Sequence, residues 1–574
     1  MKQFLLACIL MCCMNSCSFG QDRTFFSGNV FSDPAIRKVD IALASILRFY
    51  VDTVNSDKVA EDAITGMLEK LDPHSAYLTA EEVKESNEPL QGNFDGIGIQ
   101  FNMLTDTLYV IQVIADGPSE KVGIQAGDRI IFVDDTLIAG VKMKNTDIMS
   151  KLRGPKGTIV NVKVLRNGNP GLLDFKIVRD KIPVYSVSAY YMIDKKTGYI
   201  KIIRFAKTTS EEFREALGKL QAQGMENLIM DLQDNTGGYL ETAVELSNEF
   251  LNPNSLIVYM EGVHQRRKDY QSVDGGSFRK GKLVVLINES SASASEITSG
   301  AIQDWDRGVI VGRRTFGKGL VQTPIPLPDG SMIRLTTARY YTPTGRSIQK
   351  PYVKGDLESY NKEVIDRYNR GEMISADSIH FPDSLKYNTL IKKRVVYGGG
   401  GIMPDYYIPM DTTDAFFVAR TTPLFQELYY YRGAINKYVQ TLLETNRKQL
   451  KEQYPSFDSF KKNFTVSDNM LNDLLEMYKK DKTEEQKTNT IQLDANNKEI
   501  KQQTTYQLTV DQEKDLVKSK DLILHFIKMN IAREVYGDNE FYQLFNSLFD
   551  TYNKAIEIIS NDKAYNKLLN PDKK

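Results

Sequence analysis

Between Gly198 and about Pro351, short apolar runs of strand character ("GYIKIIRF", "LIMDL", "KLVVLIN") alternate with stretches of helical spacing at 209–222, 239–250 and 294–304. Strand–helix alternation sustained over that length demands an α/β core, because each helix buries its apolar stripe on the sheet its neighbours build. The chain has 574 residues, beyond the size at which one core keeps growing, so further domains are expected on either side.

The flanks differ in period. From about Ala35 to Glu88, apolar residues such as Ile41, Leu43, Ile46, Leu47 and Tyr50 recur at helical spacing. Within this helical region, "LDPHSAYLTAEE" holds an Asp72-Pro73 turn, then Thr79 as an N-cap with Glu82 three residues on. From about Gly92 to Arg179 the runs "TLYVIQVI", "RIIFVD", "IVNVKVLR" and "DFKIVR" predict a small, mostly β domain. A charged, turn-rich insertion covers about 353–395, and "GGGGIMPDYYIP" returns to the core. Beyond about Asp411 the pattern is helical again, with a polar break around 480–512 whose composition predicts a mobile segment.

Net charge is −1, from 73 basic and 74 acidic residues well mixed along the chain. Such a balance leaves no basic footprint for nucleic acid or anionic lipid, and points to protein partners. The run from Phe4 to Met14 is too short to span a bilayer and suits the apolar core of a signal peptide, so export to the periplasm or cell envelope is expected. Cleavage after Gly20 and lipidation of Cys17 are both compatible with it, and a lipid anchor is the only membrane contact expected. All four cysteines, Cys8, Cys12, Cys13 and Cys17, fall in this segment, so the mature chain must be held by packing rather than by disulfides.

In "LVVLINESSASASEITSGAIQDW" a buried strand passes through small residues into a helix that begins near Ser293. A hydroxyl there meets the positive end of a helix dipole and unpaired backbone N–H groups, which suits acyl transfer. Ser293-Ala294-Ser295-Glu296 also fits a plain capping box, a competing structural reading. In "GRRTFGKGLVQT", Lys318 sits between Gly317 and Gly319, with Gln322 four residues on and on the same face of an extended strand. To serve as a general base near neutral pH its pKa must fall by about 3 units, roughly 4 kcal/mol, which needs a dry pocket; a solvated strand lysine is the alternative. A third segment, "MDLQDNTGGYLETA", ends a β-run in Asp234-Asn235-Thr236-Gly237-Gly238, where backbone N–H groups can face an anion beside that of Ala294.

Taken together, "ESSASASEI", "TFGKGLVQ", "DNTGG", "ARYYTPTGRSIQ" and "GGGGIMPD" resemble the C-terminal processing peptidases, or tail-specific proteases, in order and spacing from about Asp72 to Asp405. The resemblance implies a crotonase-like α/β core with Ser293 as nucleophile, Lys318 as general base, Gln322 as its support, and the N–H groups of Gly238 and Ala294 as oxyanion donors. It gives Asp304 a supporting place and reads His74 as structural. Ser290 and the pair Arg313-Arg314 depart from the family's usual residues, outside the catalytic positions. No metal or cofactor is expected.

The β segment opens with "FDGIGIQF", a glycine-interrupted loop running into a strand. Successive N–H groups in such a loop can hold a terminal carboxylate while the strand edge pairs with an extended peptide, although a β-bulge would use the same glycines. With "GPSEKVGIQAGDRIIFVDD" the segment resembles the PDZ domains of these proteases, which implies Gly96, Ile97, Gly98 and Ile99 as the carboxylate loop and Arg153 as a contact to the core. The expected architecture is therefore an α/β multidomain chain: signal peptide 1–20, helical region 21–91, PDZ domain 92–182, core 183–352 completed by 396–411, insertion 353–395, and a helical C-terminal domain 412–574. Expected partners are protein C-terminal tails, a substrate adaptor and further copies of the chain. A non-proteolytic PDZ scaffold and an acyl-transfer enzyme on a related core remain the alternative readings.

Overall fold

The computed structural model describes residues 33–410, 415–489 and 505–570, apart from Thr105, Ala115 and Asn167. The signal peptide and Cys17 lie outside the described residues, and so does the middle of the polar break, 490–504. The break's first residues continue the helix Asp468–Asn489, and Val510 opens the next helix, Val510–Val535.

The core sheet runs in the order Val187–Met192, Thr197–Ile202, Asn227–Asp231, Leu283–Ile287, Val309–Gly312 and Tyr406–Tyr407. The first pair is antiparallel and the other four are parallel. Every residue of Leu283–Ile287 is buried, because both faces of this strand are covered. Alternate side chains serve the two faces. Leu283, Val285 and Ile287 pack with the helices Thr209–Ala222, Leu240–Asn248 and Ala294–Asp304. On the opposite face Val284 and Leu286 meet Tyr552, Ala555, Ile558, Ile559 and Tyr565.

That second layer corrects the expected C-terminal boundary. Helices Asp550–Ser560 and Asp562–Leu569 belong to the core, and the Tyr565 hydroxyl exchanges hydrogen bonds with the N–H and C=O of Leu283 at 3.0 and 3.1 Å. The earlier C-terminal helices form their own cluster around Phe425, Ile435, Leu474, Ile523 and Ile527. The N-terminal region is not purely helical either, since Ala76–Leu78 joins a second sheet by pairing with Met332–Tyr341. Leu320–Pro326 pairs with the other edge of Met332–Tyr341. The capping box at Thr79 and Glu82 is present in helix Ala80–Gln91.

The β domain has its own sheet, ordered Ile99–Leu104, Thr107–Val113, Arg129–Val133, Ile159–Leu165, Leu172–Val178, with a core of Leu108, Val110, Ile130, Ile148, Val160 and Val162. The chain enters and leaves it through a ribbon of Asn93–Gly96 paired with Asp180–Pro183. The insertion is more ordered than its turn-rich composition predicts: helix Leu357–Asn369 buries Tyr360 and Arg367 against the core. No described helix is long and apolar enough to cross a membrane.

Candidate active site

Ser293 stands where the buried strand Leu283–Ile287 turns into helix Ala294–Asp304, with φ 55° and ψ −113°. A non-glycine residue held there carries about 1–3 kcal/mol of backbone strain, which the surroundings must over-determine. They do so through the other small residues of the run. Ser291 and Ser295 are fully buried, and their hydroxyls donate to the carbonyls of Leu232 and Asn235, both at 2.8 Å. The Ala292 N–H donates to the Asn235 carbonyl at 3.0 Å, and the Asn288 amide joins Asp234 at 2.9 Å. The serine turn is thus bolted to the "DNTGG" turn.

Glycine is required at the join. A Cβ on Gly237 would lie 2.8 Å from the Ser293 Cβ and 3.0 Å from the Ala294 nitrogen; one on Gly238 would lie 2.0 Å from the Phe205 carbonyl oxygen. Among the described residues, neither Gly238 nor Ala294 gives its N–H to a backbone carbonyl.

Lys318 precedes strand Leu320–Pro326, and its flanking glycines also answer close approaches. A Cβ on Gly317 (φ 88°) would meet the Gly401 nitrogen at 3.1 Å, and one on Gly319 the Gln349 nitrogen at 2.9 Å. The Lys318 ammonium donates to Gln322 Oε1 at 3.1 Å, and Gln322 Nε2 donates to the His74 carbonyl at 2.8 Å. Burial pushes the Lys318 ammonium below the ordinary lysine range and the nearby Arg334 charge adds to this, while Glu296 and Asp72 pull it back.

Glu296 caps the helix, as its place in the capping box predicts, and it also has a second task that local sequence does not show. The capping box is present, with the Ser293 N–H donating to Glu296 Oε2 at 2.8 Å. The same fully buried carboxylate also accepts from the N–H of Lys318 at 2.9 Å, the N–H of Gly317 at 2.7 Å and the Thr315 hydroxyl at 2.5 Å. Burial raises its pKa to about 7 against the pull of those donors. Nothing in the local pattern separates this glutamate from an exposed helix cap.

Ser293, Ala294, Gly238, Lys318 and Gln322 all line one cavity of about 720 Å³, with Arg334 on its wall. A hydroxyl at a helix start, a desolvated amine and open backbone N–H groups in one cleft form the equipment of covalent acyl transfer.

Residues 196–359, which include these groups, match the family model "Peptidase family S41"; residues 96–177 match "PDZ domain" and 20–82 match "Activating protease CtpB N-terminal domain". Residues 424–537 match a family of unknown function. The chain is 39% identical over 315 residues to a carboxy-terminal-processing protease of Bartonella bacilliformis, covering 54% of this chain and 71% of the relative. The chain belongs to the carboxy-terminal processing proteases. It is also 34% identical over 335 residues to the carboxy-terminal processing protease CtpA of Bacillus subtilis, covering 58% of this chain and 71% of that one. A solved photosystem II D1 C-terminal processing protease is 28% identical, covers 55% of this chain and 85% of its own, and superposes with a TM-score of 0.31.

In this carboxy-terminal processing protease, Asp304 lies away from the cavity. It ends the helix that Ser293 begins, about 16 Å along the axis. There it pairs with the fully buried Arg346 at 2.7 Å and accepts from the N–H and hydroxyl of Thr344. Its work is to hold the "TPTGRS" loop. Arg313 pairs with Glu289 at 2.7 Å, and Arg314 with Glu372, so this departing pair sits in ion pairs, whereas Ser290 gives its N–H to Asn288 Oδ1 at 3.2 Å within the serine turn.

The protease's PDZ loop has Gly98 at φ 76°, where a Cβ would crowd Ile182, and a buried Ile97. The carbonyls of Ile97 and Gly98 accept from Ser119 and Ile114, both at 3.0 Å. From Ile99 onward the chain is the edge strand of its sheet. Arg153 ends helix Asn145–Leu152, lies 4.7 Å over the Phe94 ring and pairs with Glu88 at 2.5 Å. Glu88 belongs to helix Ala80–Gln91, whose Ser86, Asn87 and Leu90 line the same cavity as Ser293 and Lys318, so the PDZ domain reaches the cleft through the N-terminal region. Among the described residues no group of three or more His, Cys, Asp or Glu side chains could hold a metal ion.

Proposed function

We propose that this serine-type peptidase takes the free C-terminal end of a protein on its PDZ domain and cuts the chain by an acyl-enzyme mechanism using Ser293 and Lys318. One observation carries the reading: the strained serine and the pKa-lowered lysine line the same cavity as the two open N–H groups. In the neutral state Lys318 accepts the Ser293 proton as the hydroxyl attacks the scissile carbonyl. The N–H groups of Gly238 and Ala294 hold the developing oxyanion, and the lysine returns the proton to the leaving amine. Water then attacks the ester by the same route. Gln322 keeps the amine in place between steps.

Tail capture rests on the glycine loop at Gly96–Ile99 followed by an unpaired strand edge, the arrangement that accepts a peptide as an added strand. Export of the mature chain, with or without a lipid at Cys17, belongs to the same proposal, as do an adaptor and self-association.

The test is degradation of an unfolded protein with an apolar C-terminus by the purified full chain. Ser293→Ala and Lys318→Ala should each abolish cleavage while retaining wild-type circular dichroism, and blocking the substrate's carboxyl terminus should weaken capture. Cleavage surviving in either variant would overturn the dyad, and binding without turnover in the wild type would make the protein a scaffold.

A further inference from the structure

The amide of Gln322 helps Lys318 only if its oxygen, not its NH₂, faces the ammonium. The two ends have the same shape, so something must set the choice. The structure sets it from 248 residues away in sequence, where the His74 carbonyl takes the Gln322 Nε2 at 2.8 Å and leaves Oε1 to Lys318.

That carbonyl belongs to the Asp72-Pro73-His74-Ser75 turn, and the Asp72 carboxylate organises the turn from inside. Oδ1 accepts the N–H groups of His74 and Ser75 at 2.9 and 3.0 Å, and Oδ2 the Ser75 hydroxyl at 2.5 Å. Oδ1 also accepts the Thr336 hydroxyl at 2.9 Å, while the Thr336 N–H donates to Ser75 Oγ at 3.0 Å. Thr336 is the cross-strand partner of Gln322. One nearly buried carboxylate therefore fastens the turn to the strand opposite the glutamine that the turn must orient. On the far side, His74 Nε2 meets the Tyr360 hydroxyl at 2.9 Å, which keys the turn to the insertion helix. Burial works to raise the Asp72 carboxyl, and the bonds from Ser75, His74 and Thr336 outweigh it and hold the group below its ordinary range. Asp72 makes no hydrogen bond to Lys318 among the described residues, so any effect on the base passes through Gln322 or through charge.

We propose that Asp72 is a positioning residue for the catalytic base: it fixes the His74 carbonyl, which fixes the Gln322 amide, which holds Lys318. The proposal rests on the reading of Lys318 as that base. It makes the N-terminal segment part of the active site rather than an appendage to it.

The experiment compares Asp72→Ala, Asp72→Asn, Gln322→Ala and Gln322→Ala/Asp72→Ala in the full chain, with kcat and KM measured separately. Asp72→Ala should lower kcat on the order of tenfold to a hundredfold, the cost of a misplaced catalytic group, with KM changed less than about twofold. Asp72→Asn keeps an oxygen for the His74 and Ser75 N–H groups and should recover most of that loss. In the Gln322→Ala background Asp72→Ala should cost nothing further, since the two substitutions cut one chain of contacts. Equal losses in both backgrounds, a loss confined to KM, or an asparagine as poor as alanine would each overturn the proposal. If Asp72→Ala fails to fold, Thr336→Val removes one bond to the same carboxylate and enters the same cycle, where equal losses in both Gln322 backgrounds or a loss confined to KM would overturn the proposal. Lys318→Ala separates the layers: retained cleavage there refutes the base itself, whereas a dead Lys318→Ala with additive Asp72 and Gln322 losses refutes only the positioning role.

Discussion

The Glu296 carboxylate joins Ser293 to Lys318, taking the N–H of each residue on one oxygen at 2.8 and 2.9 Å. The Ser293 loop and the Lys318 loop are thus referenced to a single buried atom, and neither can shift without breaking a hydrogen bond to it.

Glu296→Gln turns an NH₂ toward donors on one side of that junction. Loss of two acceptor contacts inside the core should cost about 1–3 kcal/mol and lower kcat/KM more than tenfold, about 1.4 kcal/mol in barrier. The pH dependence has a definite sign. The folded pKa of about 7 lies above the unfolded value of 4.5, so this group's contribution is complete below about pH 4.5 and is lost as pH rises through 7. Urea titrations between pH 5 and 8 should show wild-type stability falling by roughly 2–3 kcal/mol from this source, with a flatter profile in Glu296→Gln.

Cleavage should rise with pH along one acidic limb lying below the ordinary lysine range, because burial favours the neutral amine of Lys318. Arg334→Met removes a neighbouring positive charge and should move that limb to higher pH. A limb that stays in place, or moves down, would show that Arg334 does not act on Lys318.

Ser293→Gly should be inactive yet more stable than wild type by about 1 kcal/mol in equilibrium unfolding, since glycine adopts φ 55° without strain. Ser293→Ala lacks that relief and should gain nothing.

Tyr565→Ala strips an aromatic ring and two hydrogen bonds from the outer face of the core sheet. The expected loss is about 3–5 kcal/mol by denaturation, although the residue belongs to helix Asp562–Leu569 and is remote from the cleft. A chain ending at Phe549 should fail to give soluble core, because the apolar faces of Val284, Leu286, Val309 and Val311 would be left to water.

The elements of the core were legible from local pattern. Helices at 209–222 and 294–304 and the strands around Ile200, Met230 and Val285 follow from hydrophobic period, and the turn glycines at 237 and 238 from the small residues that end a strand. Local sequence also placed Ser293 at a helix start, because N-cap chemistry depends on neighbours within one turn. What it could not reach are properties made by residues far apart in the chain. Whether Glu296 is an exposed cap or a buried junction depends on Thr315 and Gly317, and whether Lys318 is solvated or desolvated depends on the walls around it. The same holds for Asp304, whose neighbour Arg346 turns it into a structural ion pair, and for helices Asp550–Ser560 and Asp562–Leu569, whose apolar stripe says that they cover something but not what. Desolvation and register are set by the sum of distant contacts, and that sum exists only once the chain has folded.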